Sequence, residues 1–181
     1  YLSYGASAVS VLTEPQYFNG SIEYIRDIRQ SFPKSHLLLK DFVISQKQIA
    51  QGLIYGANAV LLIKALLDNN TLKALYEYSL QLGLTPIIEV HDRQELDEVL
   101  YLSQAIIGIN NRHLKTLEIN LDTCRHLISH IPKERYVICE SGIVHSSQIY
   151  EFMALGFDGF LVGSAFMSHP HPGYQLREFM R

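Results

Sequence analysis

One six-residue layout recurs along the chain and constrains its fold more than any other feature. It appears as Tyr4-Gly5-Ala6-Ser7-Ala8-Val9, as Tyr55-Gly56-Ala57-Asn58-Ala59-Val60 and as Leu155-Gly156-Phe157-Asp158-Gly159-Phe160. Each copy reads as a helix end, a glycine, two connecting residues and the start of a strand. The glycine supplies the left-handed residue that closes a helix before the chain re-enters a sheet. Between the copies, short Leu-rich or β-branched runs alternate with longer stretches of helical period, the pattern of βα units around a parallel sheet. The pattern predicts seven strands, at 8–12, 36–39, 59–63, 86–90, 105–109, 136–139 and 159–162. Helices are predicted over 21–31, 46–55, 71–82 and 146–155, with apolar residues at three- and four-residue spacing. Ser and Asp near several of their starts suit capping. No Pro-rich or Ser-rich linker interrupts the series, so residues 1–181 are expected to form one domain.

Gly5 caps a helix that has barely begun at Tyr1. The expectation is therefore a chain that starts inside a βα unit, without a first strand and most of a first helix. Restoring them would bring the count to eight, the number that closes into a barrel with a filled interior. The repeat alone also fits an open seven-stranded sheet. The length agrees with the first view: 181 residues at 48% hydrophobic composition can bury one core, but a full eight-fold barrel takes roughly 250. Loss of one barrel strand would leave two unpaired edges, so homo-oligomerisation through exposed barrel edges is expected.

The formal net charge of -3 and pI near 6.2 carry no basic excess of the kind that nucleic-acid binding requires, so no nucleic-acid partner is expected. The most apolar stretch, 57–67, is interrupted by Asn58 and Lys64 and is too short to span a bilayer. No secretory signal opens the sequence. Cys124 and Cys139 have neither metal-ligand spacing nor the density of a disulfide framework, so two reduced thiols, no metal and a cytoplasmic location are expected.

In a βα-barrel the carboxyl ends of the strands face the active site. Polar residues gather at those positions: Lys40-Asp41-Phe42, Glu89 with His91-Asp92, Asn110-Asn111-Arg112, Glu140-Ser141-Gly142 and Gly163-Ser164. Singly, each has a plain structural alternative as a solvated loop charge or a helix cap. Ser141-Gly142 and Gly163-Ser164 offer backbone N–H groups and hydroxyls, and 165–167 could form a short helix behind them, as at the phosphate site after the last two strands of such barrels. A phosphorylated small molecule is the ligand this predicts; the alternative is that the glycines only permit tight turns. Lys40 in an apolar cavity is a candidate proton donor and Glu89 a candidate base, roles separated by environment. Alternatively the two form an ion pair that only braces the barrel mouth. The histidines, His91 among them, are expected mostly at helix and loop surfaces.

At these positions the sequence resembles indole-3-glycerol-phosphate synthases. The matching stretches are Ala8-Val9-Ser10-Val11-Leu12-Thr13-Glu14 with Tyr17-Phe18-Asn19-Gly20-Ser21, Leu39-Lys40-Asp41-Phe42-Val43, and Gly56-Ala57-Asn58-Ala59-Val60-Leu61-Leu62-Ile63. They continue with Glu89-Val90-His91-Asp92, Ile107-Gly108-Ile109-Asn110-Asn111-Arg112, Leu114-Lys115-Thr116-Leu117-Glu118, Glu140-Ser141-Gly142-Ile143 and Leu161-Val162-Gly163-Ser164. The resemblance covers nearly the whole chain.

The resemblance implies a phosphate-binding (β/α)8-barrel, here with its first strand missing and seven βα units present. It implies a carboxy-lyase of tryptophan biosynthesis that closes the indole ring of 1-(2-carboxyphenylamino)-1-deoxyribulose 5-phosphate without cofactor. By the same resemblance Lys40 is the general acid and Glu89 removes a proton in the dehydration. Asn110 and Arg112 position substrate, Glu140 orients it, Leu62 walls the ring pocket, and Ser141, Gly142, Gly163 and Ser164 hold phosphate. The family's first strand carries a further glutamate and lysine, and a helical extension covers the barrel mouth; neither has a counterpart among these residues. Two other readings remain at this stage: another phosphosugar barrel enzyme such as phosphoribosylanthranilate isomerase, or a remnant that binds a phosphorylated ligand or a partner without turnover.

Overall fold

The structure is a computed structural model that describes residues 1–180. Seven parallel strands follow one another across a single sheet in chain order, alternating with helices. Residue contacts group into two compact units.

The first unit comprises Leu2 and Ser7–Ile88. It holds β1 (Val9–Leu12), α1 (Glu23–Ser31), β2 (Leu37–Lys40), α2 (Gln46–Tyr55), β3 (Ala59–Ile63), α3 (Asn69–Gln81) and most of β4 (Thr85–Val90). Leu37, Leu38 and Leu39 are all buried, as expected of a parallel strand covered on both faces, which reads as a continuous apolar run rather than an alternating one. β1 pairs with β2 from Val9 opposite Leu37 to Leu12 opposite Lys40, and β2 pairs with β3 through Leu38 and Ala59. α2 begins where the Gln48 side chain accepts from the N–H groups of Ile44 and Ser45 at 3.0 and 3.1 Å, the reach-back half of a capping box. It passes over β2 at Gly52, where a Cβ would come within 2.7 Å of Leu39. It ends on Gly56 at φ +105°.

The second unit comprises Tyr1, Ser3–Ala6 and the chain from Glu89 onward. It contains the end of β4, then α4 (Arg93–Asp97), β5 (Ile106–Asn110), α5 (Asp122–Leu127), β6 (Val137–Glu140), α6 (Ser146–Leu155), β7 (Gly159–Leu161), α7 (Ser164–Met167) and α8 (Pro172–Phe179). The first residues of the chain pack on its last helices: the Tyr1 ring lies 6.0 Å from Phe166 and the Tyr4 ring 5.2 Å from Tyr174. Cys124 on α5 and Cys139 on β6 are buried free thiols with their sulfurs 3.3 Å apart.

The repeated layout has a common structural basis. Gly5, Gly56 and Gly156 all adopt positive φ, at +98°, +105° and +109°. Two residues after the glycine, Asn58 Oδ1 accepts from Leu37 N at 3.0 Å and Asp158 Oδ2 accepts from Val137 N at 2.8 Å. Each side chain thus satisfies the first amide of the neighbouring strand, a donor that would otherwise be lost at the sheet margin. Arg29 adds to the first of these joints, donating to Gly56 O from Nε and Nη2 at 3.1 and 2.7 Å and to Asn58 Oδ1 at 2.6 Å.

The predicted strands hold to within about a residue at each end, and the difference matters at three of them. β2, β5 and β6 each run one residue further than their apolar runs, so that Lys40, Asn110 and Glu140 are the last residues of strands rather than the first of loops. The ladder extends because Thr13 N donates to Lys40 O at 3.1 Å and Asn111 N to Glu140 O at 2.9 Å. Helices 46–55 and 146–155 match in full, 21–31 begins two residues later, and 71–82 is displaced to Asn69–Gln81 because Asp68 caps it, accepting from Asn70 N and Thr71 N. Among the described residues no helix is long and apolar enough to cross a membrane.

Candidate active site

Three polar residues occupy the carboxyl ends of consecutive strands in or entering the second unit, and all are buried: Glu89 on β4 at 1% exposure, Asn110 on β5 at 8% and Glu140 on β6 at 1%. Asn110 and Glu140 are register partners in the β5–β6 ladder, so their side chains leave the sheet on the same face. Buried carboxylates are costly in an apolar core unless neighbouring charge or hydrogen bonds compensate them. Two of them at strand ends mark this edge as a site for chemistry rather than packing.

Glu89 has such a neighbour in His91. His91 Nε2 stands 3.1 Å from Glu89 Oε1, an ion-pair contact in which the ring N–H is off the straight hydrogen-bond line. On the other side of the ring, Nδ1 lies 3.2 Å from Glu95 Oε2, which also accepts from His91 N at 2.8 Å. Desolvation is the largest single influence on the ring and lowers its pKa, but the two carboxylates together outweigh it and raise the pKa to about 9. The imidazole is thus a cation at neutral pH. The sequence pattern points to surface positions for most of the histidines; the His91 side chain is instead only 10% exposed. The signal that could have found it is its spacing, two residues after one glutamate on a strand and four before another on a helix.

Beyond β5, Asn110 Oδ1 accepts from Arg112 N at 2.9 Å. Arg112 is half-buried, bridged to Ile119 in a short antiparallel turn, and its guanidinium donates to Leu117 O at 3.1 Å. Asn111, absent from the predicted site, ties this segment to the next strand end. Its Nδ2 donates to Ser141 O at 3.0 Å, while its Oδ1 accepts from Cys124 N at 3.1 Å. The residue is 2% exposed.

Ser141 and Gly142 both adopt left-handed backbone, at φ +64° and +84°. Serine in that region is uncommon, and the bond from Asn111 helps hold it there. Gly142 is required twice over, since a Cβ would also come within 2.8 Å of Ile119 and Leu121. Gly163 differs. Its φ is -122°, and nothing lies within 4 Å of where a Cβ would be, so no contact within the protein demands glycine there. It precedes α7, which spans 164–167 where 165–167 was predicted, and both Gly163 and Ser164 are exposed.

In the first unit, Lys40 ends β2, half-buried, opposite Leu12. Its neighbour Asp41 accepts from Thr13 Oγ1 at 2.5 Å and from Phe42 N at 2.8 Å, so the turn after Lys40 is anchored to the end of β1. Thr13 is 4% exposed and is not singled out by the sequence pattern. The following loop folds onto Glu14, whose carboxylate accepts from the N–H groups of Gln16, Tyr17 and Phe18. Desolvation there acts to raise the Glu14 pKa, but these three bonds prevail and lower it. Phe42 packs against Tyr17 and Phe18, with ring centroids 5.8 and 5.4 Å away. Leu62 on β3 is fully buried, so it can back a pocket wall but shows no surface of its own.

Named proteins from other organisms are similar over almost the whole chain. A protein from Aliarcobacter butzleri, named indole-3-glycerol phosphate synthase, is 42% identical over 179 residues, spanning 99% of this chain and 68% of that protein. One of the same name from Albidiferax ferrireducens is 43% identical over 98% of this chain and 67% of its own length. The chain thus spans about two thirds of the length of these relatives. Among solved structures, KGPDC from Streptococcus mutans, in a complex with ribose 5-phosphate, superposes with a TM-score of 0.77 at 12% identity, over 99% of this chain and 88% of that one. A 3-keto-L-gulonate-6-phosphate decarboxylase from Vibrio cholerae gives 0.73 at 18% identity, over 99% and 86%. At those identities the likeness shows the fold alone, a βα-barrel of the TIM type. The profile described as indole-3-glycerol phosphate synthase matches residues 1–179, and with the buried strand-end residues and the relatives above it follows that the chain belongs to the indole-3-glycerol phosphate synthase family, decarboxylating lyases of tryptophan biosynthesis.

Proposed function

We propose that this chain acts on 1-(2-carboxyphenylamino)-1-deoxyribulose 5-phosphate and closes its indole ring with loss of carbon dioxide and water. The observation that carries the reading is the buried polar set at consecutive strand ends, Glu89, Asn110 and Glu140, on strands that are otherwise apolar. Lys40 donates a proton to the ribulose carbonyl oxygen as the ring carbon bearing the carboxylate attacks the carbonyl carbon, so that charge developing on oxygen is neutralised. Carbon dioxide leaves from that ring carbon and restores aromaticity. The new hydroxyl then departs as water while Glu89, as its carboxylate, removes the proton lost in forming the double bond. Asn110 and Arg112 position the ring and its carboxylate, Glu140 orients the sugar, and Leu62 backs the ring pocket. Ser141, Gly142, Gly163 and Ser164 receive the phosphate through backbone N–H groups and hydroxyls. The open space at Gly163 supports that last role, because a ligand can approach the backbone where a side chain would stand.

The test is the indole fluorescence that appears when the purified chain is mixed with this substrate. Turnover that Lys40→Met abolishes, with phosphate binding retained, is the expected result. Turnover undiminished in Lys40→Met removes Lys40 from the mechanism, and binding of the substrate without product in the unmodified chain identifies a binding protein instead of an enzyme.

A further inference from the structure

We propose that His91 is a positioning residue for Glu89, its ring clamped between the Glu89 and Glu95 carboxylates so that positive charge and a fixed orientation are supplied to the group that removes the proton. The inference rests on the reading of Glu89 as that base.

The clamp follows from local structure. Glu89 and His91 are two residues apart at the end of β4, so both side chains leave the strand on one side. Immediately afterwards the chain enters α4, and Asp92 caps it by accepting from Glu95 N at 2.9 Å. That cap fixes Glu95 in the first turn, from which its carboxylate reaches back over the helix start. One oxygen, Oε2, then holds both the backbone N–H and the ring Nδ1 of His91. A ring gripped at its own backbone and at one nitrogen has little rotational freedom, and its remaining nitrogen is directed at Glu89 Oε1, 3.1 Å away. The side chains of Glu89, His91 and Glu95 are 1%, 10% and 18% exposed, so water competes little for these contacts.

The charge state agrees. With both carboxylates beside it the ring stays protonated past neutrality, to about 9, and therefore donates from both nitrogens. A cation at this distance favours the carboxylate over the carboxylic acid, and only the carboxylate can accept a proton. Glu95 neutralises the ring's charge from the far side, so the segment is a carboxylate–imidazolium–carboxylate series with one net negative charge, borne toward the strand end. His91 itself need not touch substrate.

The experiment uses the full chain and three substitutions, Glu89→Gln, His91→Leu and Glu95→Gln, with two readouts. The first needs no turnover: the titration of the His91 ring nitrogens by NMR. Its midpoint is expected near 9 and should fall by at least about one unit in Glu89→Gln, because the coupling of two charges is reciprocal and the shift it causes in one measures its effect on the other. A midpoint that Glu89→Gln does not move overturns the proposal. The second is kcat and KM for indole formation. In His91→Leu kcat is expected to fall roughly 10- to 100-fold with KM nearly unchanged, the signature of a misplaced base, and Glu95→Gln, which keeps the ring but loosens its grip, should fall by less. Glu89→Gln inactive with wild-type kcat in both His91→Leu and Glu95→Gln overturns the positioning role alone. Wild-type kcat in Glu89→Gln overturns the reading of Glu89 as base, and the positioning role with it. Should His91→Leu fail to fold, Glu95→Gln decides: wild-type kcat there overturns the proposal.

Discussion

Asn110 and Glu140 are register partners at the ends of β5 and β6, one 8% and the other 1% exposed, and the chain leaving Asn110 donates its next amide to the Glu140 carbonyl. Two polar side chains are thereby set side by side on a backbone that cannot slip, since a one-residue shift would turn both to the other face of the sheet. A change in the Glu140 charge is therefore felt at a fixed place. Glu140→Gln keeps shape and hydrogen-bonding capacity while removing the charge, and is expected to lower kcat for indole formation by roughly 100-fold with a melting temperature equal to or above that of the parent, because a buried charge is removed. A fall in melting temperature with kcat intact would make Glu140 a structural residue.

Asn111 shows what such an edge needs behind it. It is 2% exposed and its amide bonds Ser141 O and Cys124 N, two backbone groups on different elements. Asn111→Leu leaves both without their partner in a dry site, each at a cost of about 1–3 kcal/mol. Urea unfolding should report a loss of roughly 2–4 kcal/mol. Because the Ser141 carbonyl is no longer held, affinity for inorganic phosphate should weaken as well. Stability lost without any change in phosphate affinity would mean that the Ser141 turn holds its own shape.

Glycines separate conformational from steric demand. Gly142 and Gly83 have similar backbones, φ +84° and +75°, yet a Cβ at 142 would meet Ile119 and Leu121 at 2.8 Å while at 83 it would meet nothing within 4 Å. Gly83→Ala carries only the strain of alanine at positive φ, about 1 kcal/mol. Gly142→Ala adds the displacement of two side chains, bringing its cost to roughly 2–4 kcal/mol. Equal losses in denaturant titrations of the two variants would show that the Ile119–Leu121 segment yields freely.

Much of the fold is legible in the order of residues alone. The recurring glycine before a strand marks helix ends because few other residues take φ near +105° cheaply, and the Asn58 and Asp158 acceptors are visible as the polar residues inside that layout. Lys40, Glu89, Asn110 and Glu140 stand out because a charge or amide ending an apolar run contradicts the run. Residues whose role lies in a partner far along the chain do not stand out. Thr13 and Asp41 are 28 residues apart, Asn111 and Ser141 30 apart, and neither pair has a periodicity to betray it. The short helices α4, α5 and α8 escape for a different reason: five to eight residues give too few turns for an apolar stripe to repeat. His91 falls between, its two carboxylates close in sequence but its burial decided by the packing of α4.

The His91 clamp also makes stability depend on pH, in a direction that distinguishes it from ordinary carboxylate pairing. Its folded pKa, about 9, lies above the usual imidazole value near 6.5, so the folded state binds the proton more tightly than the unfolded one. The stabilisation is fully present below about pH 6.5 and is lost as pH rises through about 9. A shift of that size corresponds to an upper limit of about 3 kcal/mol, less whatever the residual solvent access of the ring removes. Urea unfolding of the full chain at intervals from pH 6 to 10 should therefore show a decline confined mainly to the alkaline side of neutrality. His91→Gln should flatten that decline and leave the two proteins closest in stability near pH 10. A wild-type curve level across this interval, or a decline that persists unchanged in His91→Gln, would place the proton uptake elsewhere and leave the imidazole neutral between its two carboxylates.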